Sequence, residues 1–242
     1  MNIDYSIIVP AYNEEILLEN TLNKLKVAMD TVSLNGEIVV ADNNSSDRTA
    51  EIAKNAGATV VFEPINQISR ARNTGAKHAK GKFLIFVDAD TSVSAELLQS
   101  AINNLISDEC CGGGATMTAD VKVPLAVNGI LGIWNLTSRV FRLAAGCFVY
   151  ARRDDFENCG GFSENLYATE EVWFSIALKR KARKHKRNFR IINKPKVITS
   201  ARKLNMFSNS YQLLLVLVLF LFPYLMRFKW ACGYWYKRPK QS

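Results

Sequence analysis

The 242-residue chain has little of what would stabilise a secreted or metal-stapled domain: two histidines, five cysteines and no Cys-x-x-Cys pair. Cys110, Cys111, Cys147, Cys159 and Cys232 are an odd set whose spacing outlines neither a disulfide framework nor a zinc site, so a reducing cytosol is expected. A leader is not expected either, because the amino terminus passes almost at once into the strand-like Tyr5-Ser6-Ile7-Ile8-Val9. Gly112-Gly113-Gly114 lacks the following Lys-Ser/Thr of a P-loop and is no dinucleotide fingerprint; it reads as a break that permits a loop near an acceptor. There is no internal repeat. Acidic residues are missing from one region altogether: residues 179–242 contain 17 Lys or Arg and no Asp or Glu, whereas residues 1–178 contain 14 basic and 22 acidic residues. An acidic body carrying a basic tail calls for a polyanionic neighbour, nucleic acid or anionic lipid.

What is present begins with an alternation of strands and helices. Strands are expected at Tyr5–Val9, Glu37–Ala41, Thr59–Phe62 and Lys82–Val87, and helices at Glu14–Met29, Asp47–Asn55 and Gln67–Ala79. The strands are nearly continuous in apolar residues, as strands covered on both faces should be, which predicts an α/β fold with a mainly parallel central sheet flanked by helices. After Asp90 the pattern loosens into a helix over Ala95–Ile106, a strand over Ala115–Thr118, an apolar segment at Leu125–Phe141, a helix from Glu170 to about Lys181, and a short strand pair at Phe189–Ile192 and Val197–Thr199. A catalytic domain is expected over 1–204, with a donor-binding half to about 110 and an acceptor-binding half from about 111.

Residues 205–242 form the appendix. Leu213–Met226 is fourteen consecutive apolar residues or Pro. As a helix it would cover roughly 21 Å, short of the ~30 Å hydrocarbon core. With Trp230, Tyr234, Trp235 and Tyr236 beside Arg227, Lys229, Lys237 and Arg238, it reads as a segment lying in one leaflet of a membrane. A tilted span and a buried core helix or oligomer contact are the alternatives.

Chemistry concentrates at three strand ends. Asp88-Ala89-Asp90 directly follows Phe83–Val87, which delivers two carboxylates to the rim where open α/β sheets bind ligands. Hard oxygen donors there suit Mg²⁺ or Mn²⁺ shared with a diphosphate, although a bare Asp-x-Asp is also a common solvated loop. Asp42 ends a second strand, where it can accept hydrogen bonds from a base or ribose, while Asp47 is more simply a helix cap. Arg70 and Arg72 stand near the start of a helix, suited to phosphate or base edges, or to an exposed basic helix end. His78 and His185 read as exposed residues.

The order of these pieces resembles family 2 glycosyltransferases of the GT-A fold. The matching segments are Ser6–Glu15, Val40–Thr49, Ala71-Arg72-Asn73, Phe86–Asp90, Gly160-Gly161-Phe162-Ser163-Glu164 and Thr169-Glu170-Glu171, spread over about 165 residues. The resemblance implies that Pro10, Tyr12, Glu14, Asp42, Arg72 and Asp88 surround a nucleotide-sugar, UDP-linked in the first instance, and that Asp90 is the more direct metal ligand. It implies inversion by single displacement, with the acceptor hydroxyl deprotonated by the acidic pair after the Gly-Gly-Phe segment. Family members usually carry Glu-Asp there; this chain has Glu170-Glu171, which makes Glu171 the base with Glu170 as alternative. Favourable charge at a helix N-terminus is the plainer role for either. Arg202 is a candidate diphosphate clamp by its place in the family pattern.

The expected function is therefore metal-assisted sugar transfer from a nucleotide-sugar to a glycan or lipid-linked acceptor at the cytoplasmic face of a membrane, peripheral or monotopic. One competing reading is a glycosyltransferase-like protein without turnover that binds at the membrane. Another is nucleic-acid binding through Lys179–Arg190, which holds eight Lys or Arg but accompanies no nucleic-acid motif, so an anionic membrane surface is the preferred partner. Sugar, acceptor and oligomeric state stay open.

Overall fold

Strands β1 (Tyr5–Ala11), β2 (Gly36–Asp42), β3 (Thr59–Phe62) and β4 (Phe83–Val87) run parallel in the computed structural model, which describes residues 2–202, 218 and 221–236. Their side chains alternate between two cores. Ile7 and Val9 of β1 face one layer with Leu18, Leu22 and Leu25 of α1 (Leu18–Met29) and with α4 (Ala95–Ile106); Ile8, between them, faces the other with Ala71 and Ala76 of α3 (Ile68–His78). A short helix, α2 (Thr49–Asn55), joins β2 to β3. Burial on both faces is the reason these strands carry few polar residues.

The second half adds β5 (Thr91–Ser92), β6 (Cys110–Ala119), α5 (Leu125–Phe141), β7 (Phe148–Arg152), α6 (Arg153–Cys159), α7 (Glu170–Ala182) and β8 (Asn188–Thr199). The eight strands form one sheet in the order β3-β2-β1-β4-β7-β6-β8-β5. β7 is antiparallel to both β4 and β6, and β5 is antiparallel to β8, so the sheet is mixed: a parallel first half joined to a half whose strands change direction. This is the α/β, GT-A-like arrangement.

Three local expectations are corrected. Gly112–Gly114 is not a loop but the middle of β6, wedged between β7 and β8; a Cβ at Gly113 would overlap the Arg190 carbonyl oxygen, and one at Gly112 the Tyr150 carbonyl oxygen. Glycine here answers close backbone approach inside a strand. The expected strand pair near the end of the domain is the single strand β8, held along its length by β6 despite two register shifts. The first helix starts at Leu18 rather than Glu14, because Glu14 N–H donates to Thr49 Oγ1 (2.8 Å) and Asn13 takes a positive φ of 50°.

Of the apolar run Leu213–Met226, positions 213–217, 219 and 220 lie outside the described residues. Pro223–Arg227 forms a 3-10 turn, followed by a short helix α8 (Gly233–Tyr236). Among the described residues no helix is long and apolar enough to cross a membrane.

Candidate active site at the strand ends

The carboxyl ends of β1, β2 and β4 open on one side of the sheet, and there Pro10, Tyr12, Glu14, Asn43, Asp88 and Asp90 line a small cavity. Five of these six were expected from sequence. Asp42 sits just behind them, buried, accepting a hydrogen bond from Ser45 N–H at 3.2 Å. Asn43 was not anticipated. It shapes the rim, accepting from Gln67 N–H (2.9 Å) and donating to the Ile65 carbonyl (2.7 Å), which ties the loop after β2 to the start of α3. Asp47, expected as a helix cap, stands one residue before the N-cap Arg48 and accepts from Thr49 N–H (2.9 Å) and from Glu15 N–H (3.1 Å), tying the helix start to the loop after β1. A larger cavity of about 650 Å³ lies on the other side of Asp90, between α1 and the ends of β5 and β8.

The site turns on Arg72. Only 2% exposed, its guanidinium donates to Asp88 Oδ1 (2.9 Å), to the Gly146 carbonyl (2.9 Å) and to Glu170 Oε1, and it lies 5.2 Å over the Phe162 ring. Burial alone would lower its pKa, but the charges of Asp88, Glu170 and Glu171 outweigh that and raise it above the ordinary arginine value. Arg70, its neighbour in sequence, instead pairs with Glu164 at 3.0 Å. The helix therefore sends one arginine inward and one outward.

Glu170 and Glu171 open α7, yet only Glu170 is buried and paired with Arg72. Glu171 is partly exposed and faces the segment before β7: a Cβ at Gly146 would stand 3.6 Å from Glu171 Oε1 and 3.2 Å from Arg72 Nη2. Burial, followed by the charge of Glu170, pushes the Glu171 carboxyl up to about 8. Such a group takes up a proton near neutral pH more readily than an ordinary glutamate.

Two of the sequence motifs meet through one side chain. Asn73 Nδ2 donates to the Phe162 carbonyl, and Phe162 N–H donates to Asn73 Oδ1, both at 2.9 Å. Gly160 and Gly161 hold positive φ values of 87° and 67°, ending α6 in the left-handed turn that glycine tolerates and delivering Phe162 to that contact. Phe162 then stacks on Phe174 of α7 at 4.4 Å, within a cluster that includes Phe86 and Phe156. Asn73 and the Gly-Gly-Phe segment thus place α7, and with it the glutamate pair.

Arg202 reaches the site from beyond β8. Its Nη2 lies 2.9 Å from Glu14 Oε1 and 3.7 Å from Asp90 Oδ2. Asp88 and Asp90 present hard oxygen donors of the kind Mg²⁺ and Mn²⁺ take, and such ions commonly use one or two protein carboxylates when substrate phosphates complete the shell. Among the described residues no three His, Cys, Asp or Glu side chains converge as a ready-made cage.

The segment after residue 220 also reaches this region, which nothing in its composition signalled. Tyr167 N–H donates to the Met226 carbonyl (2.7 Å), Thr169 Oγ1 donates to Met226 Sδ (2.8 Å), and Ile68 N–H donates to the Tyr236 hydroxyl (3.3 Å). Tyr236 also packs edge-on against Tyr167 at 5.8 Å. Thr169, in a left-handed conformation (φ 58°), immediately precedes the glutamate pair, so these contacts brace the entry to α7. His78 and His185 are exposed, as expected.

Comparison with known proteins bears on the family and the fold. The family model described as glycosyl transferase family 2 matches residues 6–127. The uncharacterized glycosyltransferase EpsJ of Bacillus subtilis (strain 168) is 29% identical over 200 residues, covering 75% of this chain and 57% of its own length. Among solved structures, S. aureus TarS 1-349 in complex with UDP-GlcNAc aligns with a TM-score of 0.63 at 22% identity, over 82% of this chain and 58% of that one. The mannosyltransferase PcManGT from Pyrobaculum calidifontis in complex with GDP-Man and Mn²⁺ aligns with a TM-score of 0.66 at 18% identity, over 89% of this chain and 61% of that one. The chain thus spans little more than half the length of these relatives.

Proposed function

The chain belongs to glycosyl transferase family 2, and from that premise we propose that it is a glycosyltransferase that moves a sugar from a UDP-linked donor onto a glycan or lipid-linked acceptor with inversion at the anomeric carbon. The observation that carries this reading is the division of labour imposed by Arg72. Asp88 and Glu170 are held by one buried guanidinium, which leaves Glu171 as the carboxylate facing the site with a raised pKa.

In this reading Pro10, Tyr12, Glu14 and Asp42 receive the nucleotide. Asp90, with Asp88 beside it, would hold Mg²⁺ or Mn²⁺, which when bound supplies Lewis-acid stabilisation of the departing diphosphate. Arg202 adds positive charge at the same place and turns from Glu14 toward the diphosphate. The acceptor hydroxyl attacks the anomeric carbon as the bond to the diphosphate oxygen breaks, the bonding pair leaves with the nucleoside diphosphate, and Glu171 takes the hydroxyl proton. Arg72, which the family resemblance places around the nucleotide, is buried behind Asp88 and in this reading acts as a positioning residue that fixes both Asp88 and the start of α7. The UDP assignment draws on the TarS complex and the metal on the Mn²⁺ bound to PcManGT.

We place the enzyme at the cytoplasmic face of a membrane, peripheral or monotopic, held by Leu213–Met226 and by the basic stretch Lys179–Arg190. A panel of nucleotide-sugars with Mg²⁺ and with Mn²⁺, read as nucleoside diphosphate release, tests the enzyme and donor together, and the product anomer by NMR tests inversion. Asp90→Ala should lower turnover by about 10²-fold or more while leaving the fold intact. Wild-type activity that survives EDTA would sink the metal assignment, and a retained anomer would sink the single displacement.

A further inference from the structure

Helix α5 has its polarity reversed. The side toward the protein is small or mixed: Val127 and Ser138 are buried, Trp134 packs against the core, and Asn135 is tied to both Met117 N–H and its carbonyl at 2.9 Å. The side toward solvent carries Leu125, Ile130, Ile133, Leu136, Val140 and Phe141, all between 51% and 88% exposed. A surface helix normally turns such residues to the core. Here Gly129 and Gly132 lie in the same open face, where an added Cβ would meet nothing within 4 Å.

The rim of this face is basic. No acidic residue lies between Asp120 and Asp154, while Lys122 precedes the helix and Arg139 and Arg142 stand at its end. Lys179 of α7 donates its Nζ to the Phe141 carbonyl at 2.7 Å, close enough to Arg142 and Arg183 that burial and their charges hold its ammonium below the usual lysine range. Beside the same end, Arg139, Arg142 and Arg190 line an open cavity of about 540 Å³. One turn before Lys179, α7 exposes Ile176, and one turn before that Trp173.

We infer that α5 docks flat on an anionic phospholipid surface, its apolar side chains among the acyl chains and Arg139, Arg142 and Lys179 on headgroup phosphates. An uncharged apolar face with a cationic rim complements such a surface. It is poorly suited to a second copy, since a twofold contact would set each basic rim against its own kind. Seventeen residues cover about 25 Å, too short to span, and the Asn135 contacts keep the helix on the protein body. The chain leaving α5 at Phe141 leads within five residues to Gly146, which contacts Arg72 and faces Glu171, so docking brings the mouth of the site to headgroup level. The inference rests on the reading of a membrane-held acceptor and adds where the body touches that membrane.

The full chain should be floated with vesicles of phosphatidylcholine alone and with phosphatidylglycerol added. Ile133→Glu combined with Leu136→Glu should lower partitioning onto the anionic vesicles by about tenfold or more while donor hydrolysis to water is unchanged. A polarity-sensitive dye on Ile133→Cys should shift to the blue with anionic vesicles and not with phosphatidylcholine alone. Undiminished partitioning of the double variant, or a dye that does not shift, would overturn the inference and leave attachment to the tail. A concentration-dependent dimer that forms without lipid and is broken by the same variant would overturn it in favour of a second copy. Absence of nucleoside diphosphate release from wild type would instead fail the catalytic reading, leaving the vesicle results to stand by themselves.

Discussion

Glu170 and Glu171 share a charge, a helix turn and a peptide bond, and differ in what they face. Glu170 meets the buried guanidinium of Arg72; Glu171 has no such pairing, and its partial burial together with the charge of Glu170 raises its pKa to about 8. Conservative changes at the two positions should separate. Glu171→Gln should retain donor binding and lose transfer by roughly 10²-fold or more. Because a base acts ionised and this carboxyl loses its proton only near pH 8, wild-type kcat/KM should climb with pH through neutrality and level off above about 8; a flat profile from pH 6 would remove the base assignment. Glu170→Gln leaves Arg72 with one carboxylate fewer, which for a buried pair costs about 3 kcal/mol. Its thermal midpoint should fall by several degrees, measured by calorimetry, whereas Glu171→Gln should hold its midpoint or raise it.

Strand β6 and the segment after residue 220 are where elements departed from their local signal. Three consecutive glycines ordinarily punctuate, and Gly112–Gly114 offers no internal sign of a strand; β7 and β8 close in from both sides and leave room for nothing else. Gly113→Ala should therefore cost about 3 kcal/mol, near the upper end for overpacking, and lower the thermal midpoint by roughly 10 °C. A midpoint within two or so degrees of wild type would mean that the sheet yields there easily. Removing residues 221–242 strips the Met226 and Tyr236 contacts from the entry to α7. Transfer should then fall by about tenfold or more even to a soluble acceptor, with nucleotide binding, measured by calorimetric titration of UDP, kept. Full transfer by the shortened chain would show that α7 is held well enough by the Phe162–Phe174 stack alone.

At the scale of the molecule, the acidic body and basic carboxyl-terminal region divide the surface. The contact of residues 226–236 with α3 and α7 sets part of the basic region against the catalytic body, near Glu170 and Glu171. Attachment to anionic vesicles should combine a salt-sensitive part, from Lys179–Arg190 and the basic rim of α5, with a salt-resistant apolar part. Raising salt from low to physiological strength should weaken binding without abolishing it; complete release would assign attachment to charge alone.

Much of the first, parallel half was legible in the sequence, because its strands are buried on both faces and follow one another with short helical crossovers, so local pattern and final place coincide. β3 and α4 begin and end where the periodicity put them, and Pro10, Tyr12, Glu14, Asp88 and Asp90 come together because each ends or follows a strand whose direction is already set. The second half was less legible: its strands reverse direction, and the partners that define them lie many residues away, as Gly113 with Arg190 illustrates. The chain alone determined that two glutamates start α7 and that an arginine stands in α3. Only the tertiary structure decided that Arg72 turns inward to hold Glu170 rather than Glu171, that Asn73 fastens Phe162, and that Tyr236 returns to Ile68, because those pairings depend on which side chains a closed core leaves facing one another.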